Sequence, residues 1–130
     1  YAEQLVSHFP NQVFVLNHLA KPMIKGGEIS RWRTAISALA RHENVYCKLS
    51  GMVTEADWKN WNYEDFTPYV DIVFSSFGID RVMFGSDWPV CDLAGGYGKV
   101  MDIVEKQVYS LSLDEQAKFW NTNATKCYKL

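Results

Sequence analysis

The sequence predicts an α/β fold built on parallel strands joined by crossover helices. Three observations carry that expectation. Short apolar runs alternate with amphipathic stretches across all 130 residues. Each run is separated from the next by enough chain for a helix, the connection that parallel strands need. Each run also gives way within two residues to polar or turn-forming residues, as in Arg81-Val82-Met83-Phe84-Gly85-Ser86-Asp87-Trp88-Pro89-Val90.

The elements follow in order. Ala2, Leu5, Val6 and Phe9 have the i, i+3, i+4, i+7 spacing of one helix face, closed by Pro10-Asn11. The chain thus opens inside a helix, without an initiator Met or a preceding strand, which is the expectation for a sequence starting partway through a larger domain. Val13 to Asn17 reads as a short buried strand followed by a loop rich in Lys, Pro and Gly. Ser30 is positioned to cap a helix whose apolar face is Trp32, Ala35, Ile36 and Leu39. Val45 to Leu49 is the second strand, closed by Ser50-Gly51, and a longer loop carries Trp58 and Trp61. Phe66, Tyr69, Val70, Val73 and Phe77 mark the next helix, ended by Gly78, and Arg81 to Phe84 is the third strand. Val100, Val104 and Val108 line one side of a further helix, and Ser112 with Glu115 forms a capping box ahead of Leu113, Gln116, Ala117 and Trp120. No internal repeat or linker divides residues 1–130.

Three parallel strands cannot close a (β/α)₈ barrel, so the chain would supply under half of one. The alternative, a small open sheet, would expose runs such as Val13-Phe14-Val15-Leu16 on its edges.

Composition narrows the partners. A formal net charge of −2, from 13 basic and 15 acidic residues, offers no footprint for nucleic acid or an anionic membrane, and leaves a small-molecule substrate as the expected partner. No apolar stretch is long enough to span a bilayer, and the N-terminus lacks a signal-peptide pattern. Cys47, Cys91 and Cys127 are odd in number and contain no C-x-x-C, which argues against a disulfide framework and makes a cytoplasmic location the expectation. Nothing in the residues speaks to oligomeric state.

Chemistry concentrates where strands end, which is where parallel α/β folds place reactive side chains. Asp87 follows the third run and is either a base or metal ligand, or a turn residue before Pro89. His18 follows the first run and would point into the mouth where Asp87 emerges. His8 and His42 fall near helix C-termini, where a cation complements the helix dipole, and read as structural or solvated. Lys48 interrupts the second strand on the face it shares with Tyr46, opposite Cys47 and Leu49; it either binds an anionic substrate group or snorkels outward. His18, Lys48, Ser50, Ser86 and Asp87 together put polar groups at one end of three strands.

Three segments, Val15-Leu16-Asn17-His18-Leu19-Ala20-Lys21-Pro22, Val45 to Gly51 and Arg81 to Val90, resemble in order and spacing the amidohydrolase-related family of TIM-barrel hydrolases that includes sugar lactonases. Ala94-Gly95-Gly96-Tyr97 and Asn123 to Leu130 look like the closing segment of those proteins. The resemblance implies that residues 1–130 are the last three βα units of the barrel. It assigns the handling of the hydrolytic water to Asp87, and binding of the reacting carbonyl or a metal to His18. It also makes Trp88, Lys48, Ser86 and Lys21 candidate substrate contacts. The cofactor implied is a divalent metal, zinc first, with His18 and Asp87 as ligands, or none at all. The family's remaining two histidines form an H-x-H after its first strand, a motif absent from these 130 residues, so activity is expected to need an N-terminal half. The expected reaction is the opening of a sugar or other small carboxylate lactone. The alternatives are a decarboxylase or amide hydrolase on the same scaffold, and an inactive truncated barrel acting as a binding or half-barrel pairing module.

Overall fold

The computed structural model describes all residues from Tyr1 to Leu130. Its elements are α1 (Ala2–His8), β1 (Phe14–Leu16), α2 (Ser30–Ala40), β2 (Val45–Leu49), α3 (Met52–Glu55), α4 (Thr67–Phe77), β3 (Val82–Phe84), α5 (Tyr97–Val108), α6 (Leu113–Ala117) and α7 (Asn123–Tyr128). The three strands form one sheet in the order β1-β2-β3, all parallel. Register pairs Leu16 with Cys47, Cys47 with Val82 and Leu49 with Phe84, so the C-terminal ends of the strands come out together.

The pleat sorts β2 by face. Val45, Cys47 and Leu49 join Val82 in the main apolar cluster beneath the helices, while Tyr46, Lys48 and Met83 lie outside it. The Cys47 thiol is fully buried in that cluster, and burial pushes its pKa up to about 12, which leaves it no use as a nucleophile. α2 and α4 cover this side of the sheet, with Trp32 tilted against Tyr69 at 5.2 Å between rings.

Arg81 ties the units together. It lies in a turn of 3₁₀ helix before β3 rather than in the strand, and its guanidinium donates to the carbonyls of Ala40, His42 and Val45 at 2.9, 2.8 and 3.1 Å. Those carbonyls belong to the end of α2 and the start of β2, so one side chain satisfies acceptors that the helix terminus leaves open.

Several sequence expectations are corrected. β1 is shorter than Val13 to Asn17, because Val13 is exposed and Asn17 already enters the following turn. Ser30 is not a cap: it is the first residue of α2, and the Glu28 carboxylate accepts from the Arg31 N–H instead. The loop with Trp58 and Trp61 contains α3 and a 3₁₀ turn at Tyr63–Asp65. The last helix is not one uniform element but α6, a π turn over Lys118–Thr122, and α7. Of the α1 face only Val6 is buried, so that stripe is largely open. The capping box at Ser112 and Glu115 forms as its spacing requires. No helix is long and apolar enough to cross a membrane.

Candidate functional site

The chain leaves β1 through a run of left-handed residues: His18, Leu19, Ala20 and Lys21 have φ of 50, 50, 56 and 52°. Left-handed backbone is costly for residues with a Cβ, and persists where surrounding contacts over-determine it. Here Leu19 is fully buried and its carbonyl accepts the Trp32 indole N–H at 2.7 Å. The turn delivers His18 over the end of β2, where its Nδ1 lies 2.8 Å from Ser50 Oγ. Ser50 is itself 2% exposed, so the serine end of this contact is buried.

Asp87 arrives from the loop after β3, also left-handed at φ 59°, a conformation that Asp tolerates better than most residues. The Trp88-Pro89 bond that follows is cis. Its carboxylate comes within 3.6 Å of His18 Nε2, and the other oxygen lies 3.5 Å from Thr54 Oγ1 in α3. Both side chains are partly withdrawn from solvent, 26% exposed for His18 and 11% for Asp87. The two groups, 69 positions apart in the chain, therefore share one mouth.

The 3.6 Å separation is too long for a good hydrogen bond and close to the spacing of two ligands on one tetrahedral ion, about 3.4 Å for bonds of about 2.1 Å. If Nδ1–H donates to Ser50 Oγ, Nε2 keeps its lone pair for a metal or an incoming proton; with the opposite polarity Nε2–H faces the carboxylate. No group of three or more His, Cys, Asp or Glu side chains converges to hold a metal, so these residues supply two ligands where a catalytic zinc needs three.

The pair opens into a cavity of about 450 Å³ also lined by Lys48, Ser86, Trp88 and Tyr128. Lys48 thus points to the mouth, with its ammonium 5.5 Å from the centroid of the Tyr128 ring and no carboxylate within ion-pair distance. Ser86 Oγ accepts the Trp88 backbone N–H at 3.2 Å, and Trp88 is 64% exposed at the rim. Lys21 does not line this cavity; the left-handed turn sends it outward to Glu55 at 3.1 Å. His8 and His42 stay outside it, on the Gln4 carbonyl and near Glu3 respectively. Sequence reasoning missed Thr54 and Tyr128. Thr54 sits on a helix hidden inside an unpatterned loop, and Tyr128 was read only as part of a closing segment.

Two glycines make the approach possible. A Cβ on Gly85 would sit 2.8 Å from Lys48 Cδ and 2.9 Å from Ser50 Cβ. A Cβ on Gly51, at φ +65°, would meet His18 Cβ and Nδ1 at 3.0 Å. Gly51→Ala is expected to cost about 1–2 kcal/mol through the left-handed position alone, measured by denaturant unfolding. By displacing the imidazole from Ser50, it should also lower any His18-dependent rate by about tenfold or more.

A family model described as an amidohydrolase matches residues 1–130. An L-fucono-1,5-lactonase of Burkholderia multivorans is 40% identical over 126 residues, covering 89% of this chain and 43% of the relative. An L-fucono-1,5-lactonase of Burkholderia ambifaria is 46% identical over 90 residues, covering 69% of this chain and 31% of the relative. The crystal structure of an amidohydrolase from Burkholderia multivorans with bound zinc superposes with a TM-score of 0.93 at 38% identity, over 99% of this chain and 48% of that one. The chain therefore spans under half the length of the relatives it matches.

Proposed function

The chain belongs to the amidohydrolase family, and from that premise we propose that it forms the closing three βα units of a barrel that hydrolyses a sugar lactone. The observation that carries the reading is the meeting of His18 and Asp87 at 3.6 Å, at the C-terminal ends of parallel strands, with Nδ1 fixed on a buried serine. A lactone carbonyl beside such a pair can be attacked by water whose proton passes to the Asp87 carboxylate. The tetrahedral intermediate then collapses, breaking the ring C–O bond. Asp87 returns the proton to the leaving alkoxide, so the product is an open hydroxy acid. Lys48, which lines the same cavity and forms no ion pair, would hold negative charge as it develops on the former carbonyl and remains on the product carboxylate. Ser86 and Trp88 contribute the wall and rim against which the ring is oriented.

A divalent metal, zinc by the precedent of the zinc-bound relative, would supply Lewis acidity for the carbonyl. His18 Nε2 and Asp87 are the residues of this chain that would hold it.

The test is a substrate panel of six- and five-membered sugar lactones, a small amide and an aromatic carboxylate, offered to the protein that carries this chain, with and without zinc. Opening of the sugar lactones at more than about a hundred times the rate of amide cleavage or decarboxylation is the expected outcome. A preference for the amide or the carboxylate would assign the other reaction on the same scaffold. No turnover of any substrate would reduce the chain to a binding or pairing module.

A further inference from the structure

Thr54 stands between two cavities. On one side its Oγ1, whose proton goes to the Gly51 carbonyl at 3.1 Å, lies 3.5 Å from an Asp87 carboxylate oxygen. On the other it lines a separate groove of about 600 Å³ with Met23, Lys25, Glu55, Asp57 and Trp58. Among the five tryptophans, the two that are mainly exposed are Trp88 at 64%, which lines the cavity of the reactive pair, and Trp58 at 52%, which lines the groove. Trp32 is buried, and Trp61 and Trp120 are half-buried against aromatic neighbours.

Trp58 does not move freely. Its indole N–H donates to the Thr54 carbonyl at 2.9 Å, so the ring is pinned to the residue that touches Asp87 while its surface stays open to the groove. Beside it, Glu55 pairs with Lys21 at 3.1 Å and Asp57 with Lys25 at 3.3 Å. Each of these carboxylates keeps oxygen lone pairs beyond those used by the lysine. Backbone N–H of Lys59 and the Lys25 ammonium hold the Asp57 carboxyl below its usual range, so it stays ionised as an acceptor. A fixed apolar ring face with ionised acceptors and ammonium donors around it matches the chemistry of a polyol, which offers C–H faces to the ring and hydroxyls to the charges.

We propose that the Trp58 groove is a second subsite that receives the hydroxylated tail of the substrate while the lactone carbonyl sits against His18 and Asp87. This rests on the lactonase reading for the ring and adds a determinant of which lactones are taken. Thr54, which lines the groove and has its Oγ1 3.5 Å from Asp87, is the link between the two sites, so a polyhydroxyl tail extending past Thr54 enters the groove, whereas an unsubstituted ring has nothing to place there.

The test compares a sugar lactone with unsubstituted δ-valerolactone in the whole protein, as the ratio of their kcat/KM values. Trp58→Ala is expected to lower that ratio about tenfold, mainly through KM for the sugar lactone. Trp58→Phe, which keeps an aromatic face, should hold it within about threefold. An unchanged ratio in Trp58→Ala, or equal losses in both variants, would overturn the subsite. If the unaltered protein opens neither lactone, the reaction assignment fails separately. The groove is then judged by calorimetric titration with the sugar acid: binding weakened at least fivefold in Trp58→Ala upholds it, and equal binding rejects it.

Discussion

Asp87→Asn, in the protein that carries this chain, is expected to lower kcat for lactone opening about 10³-fold, the range of a lost general base, while KM moves by less than about threefold. The substitution is chosen for what it leaves alone. Asn tolerates the left-handed φ of 59° as Asp does, fills the same volume, and keeps a side-chain oxygen to lie near Thr54 Oγ1. What it removes is the ability to take a proton from water and the negative charge opposite His18. Asp87→Ala is a poorer probe, because it adds strain at a positive φ and confounds chemistry with folding. Steady-state kinetics with far-ultraviolet circular dichroism as a check on the fold decides the matter. A variant that keeps its rate within about threefold would remove Asp87 from the reaction.

Asn123→Ala should lower stability by about 3 kcal/mol, since each orphaned buried polar group costs about 1–3 kcal/mol. Asn123 is 3% exposed, and its amide donates to the carbonyls of Ile79 and Val82 at 2.6 and 2.8 Å. Those acceptors bracket the entry to β3, so one amide at the start of α7 fastens the end of the chain to the strand that leads to Asp87. Deleting it leaves two carbonyls without a donor and a small cavity between packed elements. Against a total stability of about 5–15 kcal/mol for a typical domain, the loss is large. Denaturant unfolding measures it directly, and a change below about 1 kcal/mol would mean that the carbonyls find water or another donor. Asn123→Asp offers a sharper version. Its carboxylate faces two carbonyl oxygens, so its folded pKa should rise, and the deficit relative to the unaltered protein should be greater at pH 7 than at pH 4.

The alternation of strands and helices was legible because burial imposes it. β2 could be read to the residue as Val45 to Leu49: it is central in the sheet, its run is apolar on both faces but for Lys48, and Ser50-Gly51 ends it sharply. α4 was equally plain, from Tyr69, Val70, Val73 and Phe77 to the Gly78 that closes it at φ 68°. Elements that lack such a stripe were not. α3 has four residues, too few for a period to declare itself, and yet it carries Thr54. Ser30 looked like a cap by residue type, but capping depends on which side chain can reach the open N–H groups, and Glu28 reaches them. Lys21 shows the same limit. In sequence it stands three residues after His18, and only the four left-handed residues from His18 to Lys21 turn it to the opposite side.

By itself, then, the sequence determined the parallel architecture and the fact that His18, Lys48, Ser50 and Asp87 would emerge at one end of the sheet. Strand-end position follows from chain order, and parallel pairing brings all such ends to one rim. Tertiary structure alone decided how those groups meet. It set Ser50 rather than a carboxylate against His18 Nδ1, Thr54 beside Asp87, Tyr128 under Lys48, and Trp58 at the far side of Thr54. Each of these contacts joins residues from different elements or turns, except the local one between Trp58 and Thr54. Their geometry depends on left-handed backbone at His18, Gly51 and Asp87, which no hydrophobic pattern records because it is held by packing around the turn rather than by the side chains within it.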